Sequence, residues 1–203
     1  MSKKERTTLP REESTKRRRE LIVNTAIECF AEKGFHQTSV RDIASKAEIS
    51  LGSLYTHFQN KDALIDKIAE IESRELTVFE KLLSTYEEPE HGLDCFIEAY
   101  LNEVSTPLYF MLSIEITAEM MRRPGIGKRF DSNRMKMLGA LEQVIKKGMA
   151  RKVFDPRLDP EEIAELIIDV IEGTGSRAAL TGKKISKKTI RILKWNIKKL
   201  LLI

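Results

Sequence analysis

Residues 38–61 read TSVRDIASKAEISLGSLYTHFQNK. Two short helical patterns flank a tight turn in this stretch. Ser39, with Asp42 three residues on, has the spacing of a capping box in which Asp replaces the usual Glu. Thr38 or Ser39 is therefore the expected N-cap. Val40, Ile43, Ala44 and Ala47 recur at helical spacing and line one side of a short helix. Ser50 is placed to cap a second, in which Leu54 and Phe58 sit four residues apart and face inward with Ile49. That assignment leaves Leu51, Gly52, Ser53, Tyr55, Thr56 and His57 on an outer face that carries no acid. Two such helices around a tight turn, inside a three-helix unit, form a helix-turn-helix. In that arrangement the first helix braces against the nucleic-acid backbone and the second lies in the major groove. The groove, roughly 12 Å wide, admits one helix with its side chains.

Working outward, Ile22, Ala26, Cys29 and Phe30 mark one face of an upstream helix, and Gly34 follows Lys33 as a C′ glycine. Asn60 is placed to cap a long helix that keeps its apolar spacing from Leu64 to Tyr86. Pro89 and Gly92 break the chain, Pro107 starts a further helix, and Pro124-Gly125 precedes a long one. Asp159-Pro160 reads as an N-cap followed by proline at N1. Gly182 precedes a last helix, apolar at Ile190, Leu193, Ile197, Leu200 and Ile203. No stretch alternates at period two long enough to be a strand. The expected fold is all-α with about nine helices: an N-terminal three-helix helix-turn-helix domain joined by a long helix to a larger helical domain. The expected bounds are a flexible basic arm over 1–13, a helix-turn-helix domain over 14–60 and a helical domain over 61–203, with 61–87 as connecting helix.

Composition agrees. The 203 residues are 41% hydrophobic and 33% charged, with only 10 Gly and 6 Pro, which supports a buried core and argues against a turn-rich β protein. Cys29 and Cys95 form no paired motif, so a reducing, cytoplasmic setting is expected. No signal peptide and no apolar run of membrane-spanning length is seen. Charge is segregated: residues 1–60 carry net +3, 61–182 net −7 and 183–203 net +8. Basic ends favour polyanions, although a solvated face accounts for a charge run as well.

From Leu21 to Glu70 the chain resembles the DNA-binding domain of the TetR family of bacterial transcriptional regulators. The resemblance is carried by Ala26–Phe30, Gly34-Phe35, Thr38-Ser39-Val40-Arg41-Asp42-Ile43-Ala44, Ala47, Ser50, Leu54-Tyr55-Thr56-His57-Phe58 and Asn60-Lys61-Asp62-Ala63-Leu64. One departure is Glu48, where the family has Gly in the turn; a positive φ there would cost about 1 kcal/mol. The resemblance implies a homodimer on a palindromic double-stranded operator, a C-terminal domain that holds the dimer contact and a small-molecule pocket, and release of DNA when ligand changes the spacing of the heads. It implies phosphate contacts from Tyr55 and His57. A phosphate at the start of the long helix would relieve the charge of Lys61 in its first turn. The 38–39 hydroxyls and Arg41 are further candidates, Leu51, Gly52, Ser53 and Thr56 are the candidates for reading base edges, and Ser50, the cap, is a further DNA-binding candidate. Lys16, Arg17, Arg18 and Arg19 are either a solvated helix start or added backbone contacts.

In the body, all six internal methionines fall between 111 and 149. Met fills irregular gaps and adapts to varied partners. Ordinary core filling is one reading. The other is a malleable pocket for a small apolar ligand, lined by Phe96, Tyr100, Tyr109, Phe110, Met111, Met120, Met137 and Leu141. Glu98, Glu103, Glu115 and Glu119 lie near this apolar material and are expected at the surface, the alternative being that one binds a cationic ligand; His36 and His91 are expected in loops. Ile163, Leu166, Ile167, Val170 and Ile171 form a broad stripe, with Gly173 and Gly175 open to close approach by another helix. With Thr174, Ile190, Leu193 and Ile197 it is the expected dimer interface, a four-helix bundle across a two-fold axis. No nucleophile–base grouping, phosphate loop or metal cluster is present, so neither catalysis nor a cofactor or metal is expected. A DNA-binding regulator without an effector, controlled by a protein partner, is the alternative function.

Overall fold

The computed structural model describes residues 11–202. Most of the expected arm, residues 1–10, and Ile203 of the expected apolar set lie outside the described residues. Among these there are nine helices and no strand: α1 (Arg11–Lys33), α2 (Val40–Lys46), α3 (Leu51–His57), α4 (Lys61–Thr85), α5 (Pro89–Val104), α6 (Pro107–Arg122), α7 (Pro124–Ala150), α8 (Pro160–Thr181) and α9 (Lys187–Leu201). The chain divides into two compact units, Met1–Ile68 and Ala69–Ile203.

In the first unit α1 starts at Arg11, three residues before the expected Ser14, because Glu12 and Glu13 place acids in its first turn, where they favour the helix dipole. It stops at Gly34, whose φ of 84° is the left-handed conformation a C′ glycine supplies; its N–H donates to the Phe30 carbonyl at 2.9 Å. Ile22, Ala26, Cys29 and Phe30 are buried with Ile43, Ala44, Ala47, Leu54 and Phe58. Val40 and Ile49 are only half-buried. The α2–α3 turn closes through Ile49 N–H on the Ala44 carbonyl at 3.0 Å. Glu48 sits at φ 53°, the strained conformation expected of a non-glycine residue there.

In the second unit α5 is the central helix. Leu93, Phe96, Ile97, Tyr100, Leu101 and Val104 are buried along it, and it packs against α6, α7, α8 and α9. The expected break at Gly92 is absent, and His91 is helical rather than in a loop. A side chain at Gly92 would come within 2.9 Å of the Leu83 carbonyl oxygen, so glycine here permits close packing on the end of α4. Gly175 and Gly173 also part company with expectation. A Cβ at Gly175 would meet Val104 Cγ2 at 2.4 Å and its backbone carbonyl at 3.1 Å, while nothing lies within 4 Å of one at Gly173. The close approach is therefore between α8 and α5 of the same chain. Gly175→Ala is expected to lower stability by about 1–3 kcal/mol through overpacking. Gly173→Ala should be neutral or stabilising by up to about 1 kcal/mol, since alanine favours helix. Urea unfolding midpoints of the two variants check the contrast.

Candidate nucleic-acid interface and the ligand-domain interior

The helix-turn-helix is held by three polar devices. The Ser39 hydroxyl accepts the Asp42 N–H at 3.1 Å, and the Ser39 N–H donates to Asp42 Oδ2 at 2.8 Å, completing the capping box. The hydroxyl and N–H of Ser39 together hold the Asp42 carboxyl below its usual range. Ser50 caps α3 by accepting the Ser53 N–H at 3.1 Å. Across helices, the Lys46 ammonium reaches Glu28 at 3.1 Å and Glu32 at 2.7 Å, bracing α2 on α1.

Thr38 does not belong on the outer face. It is 1% exposed, and its hydroxyl donates to the Cys29 carbonyl at 3.0 Å and the Gly34 carbonyl at 2.8 Å. A group so committed to carbonyls in the core has no proton for phosphate. Lys61 is also held inward. Its ammonium donates to the carbonyls of Phe35 at 2.7 Å and Thr38 at 2.8 Å and lies 4.2 Å from the centre of the Phe35 ring. Two carbonyl dipoles and an aromatic face draw the charge inward, where it ties the start of α4 to the turn after α1. The charge at the α4 N-terminus is thus balanced within the protein.

What remains outward is compact. Ser39, Arg41, Ser50, Gly52, Tyr55 and Thr56 are exposed, and Leu51, Ser53 and His57 half-buried. Tyr55 is the largest, at 49% exposed. Nothing lies within 4 Å of a Cβ built at Gly52, so a ligand backbone or base edge can approach α3 closely there. The Thr56 hydroxyl donates to the Gly52 carbonyl at 2.9 Å and keeps lone pairs for an outside donor. Sequence spacing left Arg18 and Arg19 undecided. The Arg19 guanidinium lies 5.0 Å from the centre of the Phe58 ring. Burial, then Arg19 and Arg18, pushes the His57 imidazole below its usual pKa. The basic run of α1 thus meets the C-terminal end of α3, a tertiary juxtaposition that no helical period reveals.

The residues expected to line a ligand pocket are only partly gathered. Phe96 and Tyr100 stack with centroids 5.4 Å apart, and Phe79 meets both rings edge-on. Met137 and Leu141 are buried with them. Tyr109, Phe110 and Met120 are half-buried. Met111, however, is 41% exposed, and Met121 and Met135 also face outward, so the methionines do not form one cluster. The unforeseen feature is polar. The Tyr100 hydroxyl donates to Glu172 Oε1 at 2.7 Å. Asn133 donates to Glu72 at 2.7 Å and to the Ala69 carbonyl at 2.9 Å. Burial pushes up the Glu72 carboxyl and both the Tyr100 and Tyr109 hydroxyls. Glu119, expected at the surface, is buried and accepts from Arg123 Nη2 at 2.7 Å and Arg122 Nη1 at 3.3 Å, so the two arginines compensate its charge.

The expected dimer stripe also divides. Ile163, Ile167, Ile171, Leu193 and Ile197 are buried in the chain's own core, with Ile190 packed against it. Leu166 and Val170 stay 44% and 38% exposed, and Thr174 is half-buried. The reason is the helical period: positions 163, 167 and 171 share one face of α8, while 166, 170 and 174 share the next.

A helix-turn-helix whose α3 outer face carries no acid, in a chain that also has a larger helical unit, defines a helix-turn-helix DNA-binding transcriptional regulator. Residues 22–68 match the family described as bacterial regulatory proteins, tetR family. The transcriptional regulator UidR of Escherichia coli (strain K12) is 29% identical over 156 residues, covering 75% of this chain and 76% of UidR. The transcriptional repressor KstR2 of Rhodococcus jostii is 47% identical over 51 residues, a quarter of each chain. The structure of Salmonella enterica GusR superimposes with a TM-score of 0.70 at 27% identity, over 91% of this chain and 95% of that one. Residues 22–68 thus match the DNA-binding domain of that family, and the chain as a whole is similar to HTH-type transcriptional regulators. Among the described residues, no helix is long and apolar enough to cross a membrane.

Because Lys61 is turned inward, Lys61→Met should leave the slope of log affinity against log salt for DNA unchanged and lower stability by about 1–3 kcal/mol through two lost charged hydrogen bonds. A slope flattened by about 1 would mean that the ammonium swings out to a phosphate.

Proposed function

We propose that the chain is a repressor that binds a two-fold symmetric operator as a homodimer and is released by a small molecule. The observation that carries this is the pairing, in one chain, of an open α3 face with an apolar row on α8, Leu166 and Val170, that the chain's own core leaves uncovered. A second copy would cover that row. Charge supports it: the outer surface of α8 holds Glu161, Glu162 and Glu165, besides Asp169, which pairs with Arg134 at 2.9 Å, and α9 carries only cations among its charged residues. Acidic α8 against basic α9 of a second copy is complementary, and like helices side by side are not. The similar KstR2 is named a repressor.

In this reading residues 14–60 read DNA, 61–87 connect and 61–203 dimerise and bind ligand, and the protein works in the cytoplasm, where its operator is. Tyr55, His57, Ser39 and Arg41 hold phosphates, and phosphate contacts position the unit without reading sequence. Ser50, Leu51, Gly52, Ser53 and Thr56 face the bases, Leu51 suiting a thymine methyl. The effector enters the interior around Phe96, Tyr100, Tyr109, Phe110, Met120, Met137 and Leu141. There the Glu72 and Glu172 carboxylates and two tyrosine hydroxyls would meet its polar groups. Ligand releases DNA only by binding the non-operator arrangement of the two heads more tightly.

Val170→Glu places a charge in the centre of the proposed contact, where an unpaired buried carboxylate costs several kcal/mol. Sedimentation should find a monomer, and that monomer should lose specific operator binding because the two half-sites lie about 34–36 Å apart. A Val170→Glu variant that stays dimeric would remove α8 from the interface.

A further inference from the structure

The arginines of α1 have no part in the reading above, and helical period divides them. Arg18, Ile22 and Ala26 follow each other at i, i+4 and i+8, and Arg19 and Val23 at i and i+4. Ile22, Val23 and Ala26 are buried. Arg18 and Arg19 therefore prolong the packed face of α1 past the end of the core, and both are exposed. Arg17 shares instead the outer line of Leu21, Asn24 and Glu28, all exposed, and its guanidinium is tied to Glu13 at 2.7 Å.

Past the core, this face of α1 meets the end of α3. The Arg19 guanidinium lies 5.0 Å from the centre of the Phe58 ring, a contact that holds the group in place and uses none of its N–H donors as hydrogen bonds. Neither the Arg18 nor the Arg19 guanidinium has a hydrogen bond or a carboxylate partner among the described residues. Both charges act on the half-buried His57. After burial, it is they that hold its imidazole below the usual pKa, the mark of a positive potential that no acid offsets. Such a cluster repels itself until an anion joins it. The place of the cluster names the anion. His57 follows Tyr55 by two residues in α3. The seven residues of α3 make a helix about 10 Å long, close to the roughly 12 Å width of the major groove. A helix that crosses the groove therefore ends beside a backbone strand.

We infer that Arg18 and Arg19 of α1, together with His57, grip a phosphate of the operator backbone at the C-terminal end of α3. The inference rests on the reading that α3 enters the major groove of DNA. Each guanidinium carries a planar fork of N–H donors that fits phosphate oxygens. The helix that braces the core thus also takes hold of the duplex, and this hold positions each head without reading sequence.

A duplex selected by the full chain from a random pool is the probe, with an unrelated duplex of equal length beside it. Fluorescence anisotropy gives affinities between about 50 and 200 mM salt. In the double variant Arg18→Gln, Arg19→Gln, the slope of log affinity against log salt should be shallower by about 2 for each head bound. Affinity should fall by a similar factor on both duplexes, which leaves the preference between them unchanged. Arg18→Gln alone removes no contact among the described residues and should flatten the slope by about 1 for each head, which separates charge from any loosening of Phe58. Arg17→Gln should leave the slope as it is. An unchanged slope in the double variant, with the wild-type chain still preferring the selected duplex, overturns the inference and leaves the α3 reading standing. Lost preference in the double variant would make the arginines readers of base edges and overturns it too. So does an equal flattening in Arg17→Gln, since any charge on α1 would then serve. A pool that yields no common sequence overturns the reading and the inference together.

Discussion

One buried hydroxyl organises the reading head. Thr38 hands its single proton to two carbonyls, those of Cys29 and Gly34. It thereby fixes the end of α1 against the start of α2. Lys61 closes the same knot from the other side by holding the carbonyls of Phe35 and Thr38. Three helices thus meet at one turn. With that turn fixed, the Ser39 capping box sets the direction of α2, and the strained Glu48 turn sets that of α3. Leu54 and Phe58 then point into the core while Tyr55 and Thr56 point out. The outer face follows from polar groups that never reach it.

This knot also marks where the sequence stops being legible. Period, caps and breakers were enough for the nine helices, for Ser39 and Ser50 as caps, for Gly34 at a positive φ and for the strain at Glu48. Those features depend on a few neighbouring residues. Thr38 and Lys61 are held inward by contacts that are tertiary. A threonine beside a cap looks free until a carbonyl nine residues back is found to accept its proton. A lysine in a first turn looks exposed until a ring and two carbonyls 23 to 26 residues earlier claim it. Arg18 and Arg19 stayed undecided for the same reason.

The second unit repeats the lesson on a larger scale. The apolar pattern of α8 has two adjacent faces, and hydrophobicity alone does not say which is inside. The structure buries 163, 167 and 171 and leaves 166 and 170 uncovered. Gly175 serves the α5 crossing within the chain, while nothing lies within 4 Å of a Cβ built at Gly173. The interior was expected to be a soft, methionine-rich pocket. Part of the methionine set faces outward instead, and carboxylates and tyrosine hydroxyls stand beside the Phe96–Tyr100 stack. Buried polar groups are costly unless paired, and here Tyr100 is paired with Glu172 and Asn133 with Glu72.

The central claim is that the α3 face reads DNA from two symmetric heads. Selection of bound duplexes from a random pool by the full chain tests it most directly. The account predicts enrichment of a two-fold symmetric sequence whose half-sites are centred about one helical turn apart, or a multiple of it. Recovery of no common sequence, or of a single half-site with no symmetric partner, would contradict it.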